Sequence, residues 1–206
     1  MPQSLRVAFG LSIVLLLIGG PAWYYSYHNR CFRNFHVVEE GILYRSGQLT
    51  LDGLKRLIHD YGIKTVVSLR DGEKSNDMDE ERYLMSETDL NFVRIPPRPW
   101  WASDGSIPAE ISLAQFREVM DNPANYPVLV HCFAGIHRTG GMCAVRRMDH
   151  DGWTNKQAIQ EMKNLGYTVE HMDVLPYLEN YCPRAAAVSG QSLLVQPASH
   201  QKSQAP

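Results

Sequence analysis

The stretch Pro127-Val128-Leu129-Val130-His131-Cys132-Phe133-Ala134-Gly135-Ile136-His137-Arg138-Thr139-Gly140 decides the fold. Its first part is a short apolar run rich in valine, the composition of a strand buried on both faces. Beyond Arg138 the chain can be helical to about Asp149. A chain passing from a buried strand through a glycine-bearing loop into a helix bends successive backbone N–H groups around one point, as an anion-binding nest does. The helix N-terminus favours the same charge. Gly135 admits backbone angles that other residues resist, and Arg138 offers a planar fork of donors for two phosphate oxygens. The backbone of Phe133, Ala134, Gly135, Ile136 and His137, together with Arg138, therefore forms a cup for a phosphate dianion. The positive surroundings favour the thiolate of Cys132, the form that acts as a nucleophile.

Upstream of this stretch, strand and helix patterns take turns. Residues 42–44 follow the Gly41 turn as a short strand, and residues 51–61 read as a helix with Thr50 as N-cap, apolar Leu54, Leu57 and Ile58, and Gly62 as its stop. Residues 64–69 are β-branched and short, which suits a buried strand; residues 77–88 form a charged surface helix, and residues 92–95 alternate as a strand does. After a Pro- and Trp-rich loop, Pro108 opens a helix carrying Ile111, Leu113, Phe116, Val119 and Met120. Downstream, Thr154 and Gln157 have capping-box spacing for a helix ending at Gly166. The order predicts an α/β fold: a mainly parallel central sheet flanked by helices, with a Cys-x5-Arg phosphate-binding loop between a strand and a helix.

The run from His131 to Gly140 resembles the signature loop of the protein tyrosine phosphatase superfamily, HCxxGxxR followed by Ser or Thr, and within it the dual-specificity-like, atypical cysteine phosphatases. By order of elements the similarity covers residues 41–181. It implies that Cys132 forms a cysteinyl-phosphate, that Arg138 binds the phosphoryl group, that Thr139 steadies the departing thiolate, and that His131 helps set the loop's geometry. Ile136 stands where plant and fungal members commonly have Lys, as phosphoinositide phosphatases also do. This departure favours aryl or alkyl phosphomonoesters over highly phosphorylated inositols. The implied partners are a phosphorylated protein, phosphotyrosine favoured, or a small phosphomonoester; no cofactor and no metal is implied.

The family draws its proton donor from a loop upstream of the cysteine, and Asp104 stands in such a loop, between the strand at 92–95 and the helix opened by Pro108. The alternative for Asp104 is a turn or capping residue, and Glu110 is the next candidate acid. Trp100 and Trp101 either shape the mouth around an aryl group or pack as a satellite of the core. Asp71 and Glu73 read as a solvated turn, and Cys143 as a small apolar residue on a helix face with Met142 and Val145, its alternative being a disulfide trap for oxidised Cys132.

Twenty basic against 22 acidic residues give a net charge of −2, without the basic excess that nucleic-acid binders carry. The 206 residues suffice for one globular domain, expected at 31–183. Residues 7–29 contain no Asp, Glu, Lys or Arg, and Trp23, Tyr24, Tyr25 and Tyr27 follow an apolar run. Residues 1–30 are accordingly expected to be an N-terminal transmembrane helix, making a single-pass membrane protein of undetermined orientation. A secretory signal peptide and a buried soluble helix are the alternatives. Residues 184–206, rich in Ala, Ser, Gln and Pro, are expected to be a disordered tail. Two other functions compete with the phosphatase: a phosphate-binding module without turnover, and a rhodanese-like sulfurtransferase, which needs neither Asp104 nor Thr139.

Overall fold

The computed structural model describes residues 3–72, 75–87, 89–168 and 174–184. In chain order these form α1 (Gln3–Cys31), β1 (His36–Glu39), β2 (Leu43–Ser46), α2 (Leu51–Tyr61), β3 (Thr65–Ser68), α3 (Ser75–Ser86), β4 (Asn91–Arg94), α4 (Ala109–Met120), a 3-10 turn (Pro123–Asn125), β5 (Val128–His131), α5 (His137–His150), α6 (Asn155–Asn164) and α7 (Leu175–Glu179). The sheet order is β1-β2-β5-β3-β4, with only β1 antiparallel to its neighbour. The mainly parallel α/β sheet read from the sequence is thus present. β1 was not anticipated: it is a four-residue edge strand, partly exposed, with too little apolar pattern to announce itself.

Alternation along the strands sends side chains to two cores. Leu43, Val67, Val128 and Val130 pack with α4, α5, α6 and α7, whereas Tyr44, Val66 and Leu129 pack with Leu54 and Leu57 of α2 and Leu84 of α3. Helix ends follow local chemistry. Thr50 accepts a hydrogen bond from Gly53 N at 3.1 Å, Gly62 closes α2 with φ 61°, and Thr154 with Gln157 completes a reciprocal capping box. In register, Ser46, His131, Ser68 and Arg94 lie abreast at the carboxyl ends of the four parallel strands. The loops that leave those ends therefore gather on one edge, where open α/β sheets hold their ligands.

The N-terminal expectation is corrected. Among the described residues no helix is long and apolar enough to cross a membrane, which removes the transmembrane helix, the membrane partner and the single-pass localisation. The physical reason lies in the described part of α1: its apolar run Ile13-Val14-Leu15-Leu16-Leu17-Ile18 gives way to Gly19, Gly20 and an in-helix Pro21, then to Trp23, Tyr24 and Tyr25. A spanning helix needs roughly 20 predominantly apolar residues. Of the expected tail, Arg184 pairs with Asp121 at 2.8 Å. The remainder of the tail, Glu73 and Thr88 lie outside the described residues.

Candidate active site

Cys132 is the first residue beyond β5 and is buried. Gly135 N donates to Cys132 Sγ at 3.2 Å. The carbonyls of the loop are occupied from the opposite side. Gln48 N donates to Phe133 O at 2.9 Å, Asn34 Nδ2 to Ala134 O at 2.8 Å, and Arg45 Nη2 to Gly135 O at 2.7 Å and Ile136 O at 3.5 Å. With four successive carbonyls held by groups from β2 and its neighbours, the peptide planes are fixed with their amides toward the cysteine side. Gly135 has φ 74°, and a Cβ there would fall on the backbone of Ser46 and Gly47. Glycine is required on both counts.

Arg138 and Thr139 occupy the first turn of α5, so a helix N-terminus faces the same point. Arg138 is exposed, its Nη1 3.3 Å from Leu69 O; Thr139 is fully buried and, among the described residues, its Oγ1 has no hydrogen-bond partner. His131, buried at the end of β5, places Nε2 3.1 Å from Glu80 Oε1 of α3, and Gln48 Nε2 donates to Glu80 Oε2 at 3.1 Å. Burial pushes the Glu80 carboxyl up, but His131, Gln48 and Arg94 together outweigh that effect and hold it below the usual carboxylate range.

Around the mouth, Phe133 is half exposed, with the Arg33 guanidinium 4.4 Å and that of Arg70 5.2 Å from its ring centroid. Arg70 is itself buried and paired with the fully buried Asp77. A cleft lined by Leu69, Ile95, Pro96, Trp100, Arg138 and Met142 adjoins the loop.

Asp104 is not among the residues that line this cleft. It lies on an exposed turn, where its Oδ1 accepts from Ser106 Oγ at 2.7 Å and Ser106 N at 2.9 Å, and these two bonds hold its carboxyl below the ordinary aspartate value. Glu110 is turned to Tyr177, whose hydroxyl donates to it. The two tryptophans part company: Trp100 is buried with its ring 5.0 Å from that of Tyr177, and Trp101 is exposed. Asp71 is exposed, and Cys143 is fully buried, its thiol pushed up to about 11 by burial.

Residues 25–173 match the family described as "PTP-NADK: DSP-PTPase phosphatase fused to NAD+ Kinase". The chain belongs to this family. It is 27% identical over 125 residues to the dual specificity protein phosphatase TpbA of Pseudomonas aeruginosa strain UCBPP-PA14, which covers 61% of this chain and 51% of that protein. The chain therefore spans about half the length of the curated relatives it matches. Among solved structures, the core catalytic domain of the PP-IP phosphatase SIW14 from S. cerevisiae, in complex with citrate, superposes with a TM-score of 0.61 at 22% identity, covering 76% of this chain and 91% of that one. P. aeruginosa TpbA in complex with pTyr gives 0.60 at 23% identity, covering 76% and 90%. These two likenesses carry the fold. The protein tyrosine phosphatase superfamily, dual-specificity-like, expected from the signature loop is thus the family of this chain.

Sequence reasoning found the loop and missed its supports: Asn34, Arg45, Gln48 and Glu80. Only Arg45 carried a signal, a charged side chain that follows apolar Leu43 and Tyr44 in a four-residue strand. Glu80 was one acid among several on a charged helix, with nothing in its spacing to set it apart.

Proposed function

We propose that this chain is a cysteine-dependent phosphatase of phosphomonoesters, its catalytic domain spanning residues 31–183. The observation that carries this is the loop itself: Gly135 N–H points at Cys132 Sγ at 3.2 Å while the carbonyls of residues 133–135 are held from behind and that of Ile136 is tied into α5 by Gly140 N. A thiolate there lies within a converging set of amides, with a helix N-terminus and Arg138 adding positive charge. Sγ attacks phosphorus, an S–P bond forms and the ester P–O bond breaks, the departing oxygen taking a proton from Asp104. Water then attacks phosphorus, its proton passing to the Asp104 carboxylate, and the S–P bond breaks to release phosphate and the thiolate, which Thr139 steadies. Arg138 and the amides of residues 133–138 hold the equatorial oxygens throughout. His131, backed by Glu80, keeps the loop's first peptide in place.

Asp104, bonded to Ser106, is kept as a carboxylate at the surface; in both steps its turn swings toward the cleft, giving up the Ser106 bonds to carry the proton in the first. Phosphotyrosine is the favoured substrate within dual-specificity activity. The half-exposed Phe133 and the cleft beside Arg138, with Ile95, Pro96, Trp100 and Met142, offer an aryl group apolar contact, and one structural neighbour was solved with pTyr. Purified protein is expected to hydrolyse para-nitrophenyl phosphate in the presence of EDTA, with inhibition by vanadate and loss in Cys132→Ser; full activity in Cys132→Ser rejects the proposal. The self-contained Asp104 turn favours one second reading, a phosphate-binding module without turnover, which a bound phosphopeptide with neither burst nor turnover would establish.

A further inference from the structure

The largest fully buried side chain among the described residues is a cation. Arg45 in β2 is 1% exposed, and among the described residues no carboxylate pairs with it. An unpaired charge in a protein interior is expensive, so its position asks for compensation. Hydrogen bonding supplies only part of it. Nη2 donates to Gly135 O at 2.7 Å and reaches Ile136 O at 3.5 Å, whereas among the described residues Nε has no hydrogen-bond partner. Loop carbonyls carry only partial charges and do not neutralise a guanidinium.

The placement makes the cost higher. Arg45 pairs in register with Val130 of β5, two residues before Cys132, and its guanidinium lies against the first turn of α5: a Cβ on Gly140 would sit 3.6 Å from Nη2. A helix N-terminus repels cations. Here a buried guanidinium and the positive end of α5 point into one small region, and Arg138 is a third positive group on its outer side. The arrangement is reconciled by an anion held within the loop, in front of Arg45.

We propose that Arg45 is a positioning residue: from behind the loop it holds the Gly135 carbonyl away from the cysteine, beside the Ile136 carbonyl that Gly140 N already binds at 2.9 Å, so that the amides face the phosphate, and it supplies the bound oxyanion with a countercharge that water does not screen. This rests on the phosphatase reading of the loop. Unlike Arg138, it touches neither substrate nor sulfur and acts through the backbone. A lysine would retain the charge, but its shorter side chain ends before the position of Nη2, the one nitrogen that meets the loop carbonyls.

The test uses the full chain with orthovanadate as the probe, binding measured by calorimetry and folding by circular dichroism and thermal unfolding. Wild-type protein is expected to bind orthovanadate and to unfold at a higher temperature in its presence. Arg45→Met, of similar length and apolar, is expected to bind about tenfold more weakly or worse, and Arg45→Lys to recover much of the loss while remaining several-fold weaker than wild type. Folded Arg45→Met with wild-type vanadate affinity and a lowered unfolding temperature would assign Arg45 to packing alone and overturn the proposal. Should Arg45→Met not fold, Arg45→Lys decides: an affinity equal to wild type overturns it, a several-fold loss supports it. Turnover is measured separately. Wild type that binds vanadate but does not turn over defeats the phosphatase reading and leaves the role of Arg45 standing, whereas wild type that binds no vanadate defeats both.

Discussion

The loop at residues 132–138 and the loop at residues 96–108 serve the same proposed reaction but are built in opposite ways. In the first, the carbonyls of residues 133–136 are bonded to partners from the β1–β2 edge and the start of α2, and a glycine is wedged where no other residue fits. In the second, the bonds around Asp104 are internal: Ala102 N to Ser106 O and Gly105 N to Ala102 O, both 3.0 Å, and the aspartate to Ser106. Within this loop Trp100 is buried in the core and Ile107 packs against it. The contrast teaches where precision is needed. An oxyanion and a nucleophile need fixed dipoles at all times, because their reorganisation would be felt in the barrier. A proton donor has to meet the leaving group only once the substrate is seated, so its loop can hold itself together and remain at the surface.

The comparison breaks most sharply at the nucleophile. Cys132→Ser is expected to reduce para-nitrophenyl phosphate hydrolysis to background without altering the circular dichroism spectrum. Gly135→Ala comes next. A Cβ there meets backbone and the residue must hold φ 74°, so a loss of about 1–3 kcal/mol in urea unfolding is expected, with activity lost alongside it. In the other loop, Asp104→Ala should lower kcat by roughly 10²- to 10⁴-fold while leaving stability within about 0.5 kcal/mol; equal losses of stability in the two loops would erase the distinction.

The smallest effect is a matter of pH. Glu80, whose carboxyl is held below its ordinary value of 4.5 in the folded state, contributes stability that is fully present above that value and is lost as the pH falls through the lowered one. Urea unfolding followed from pH 6 downward should therefore show a loss beginning near the ordinary carboxylate range, and Glu80→Gln should lack that component of the slope. A wild-type slope unchanged in Glu80→Gln would remove Glu80 from the support of His131.

Much of this was legible beforehand because it is local. The strand into Cys132, the Gly135 turn, the Arg138–Thr139 helix start and the caps at Thr50 and Thr154 are short-range patterns, and each forms where its spacing places it. What stayed hidden is non-local. Asn34, Arg45, Gln48 and Glu80 reach the loop across sheet pairings or from a helix dozens of residues away, and residue type alone does not reveal such a partnership. The N-terminal segment failed for a different reason. Its charge-free apolar run and the aromatic residues beyond it suggested a membrane span, but that count ran through Gly19, Gly20 and Pro21, which interrupt the apolar run. Trp100 and Trp101, adjacent and chemically alike, end in different environments, a distinction set by the packing of Tyr177 against the first and invisible in the pair itself.

The most direct measurement is the rate at which iodoacetate alkylates Cys132 in the native full-length chain at neutral pH, followed by mass spectrometry of the modified peptide with and without orthovanadate. The account predicts rapid, selective carboxymethylation at Cys132, with fully buried Cys143 spared, and its suppression by vanadate. Slow modification at the pace of an ordinary thiol, indifferent to vanadate, would contradict it.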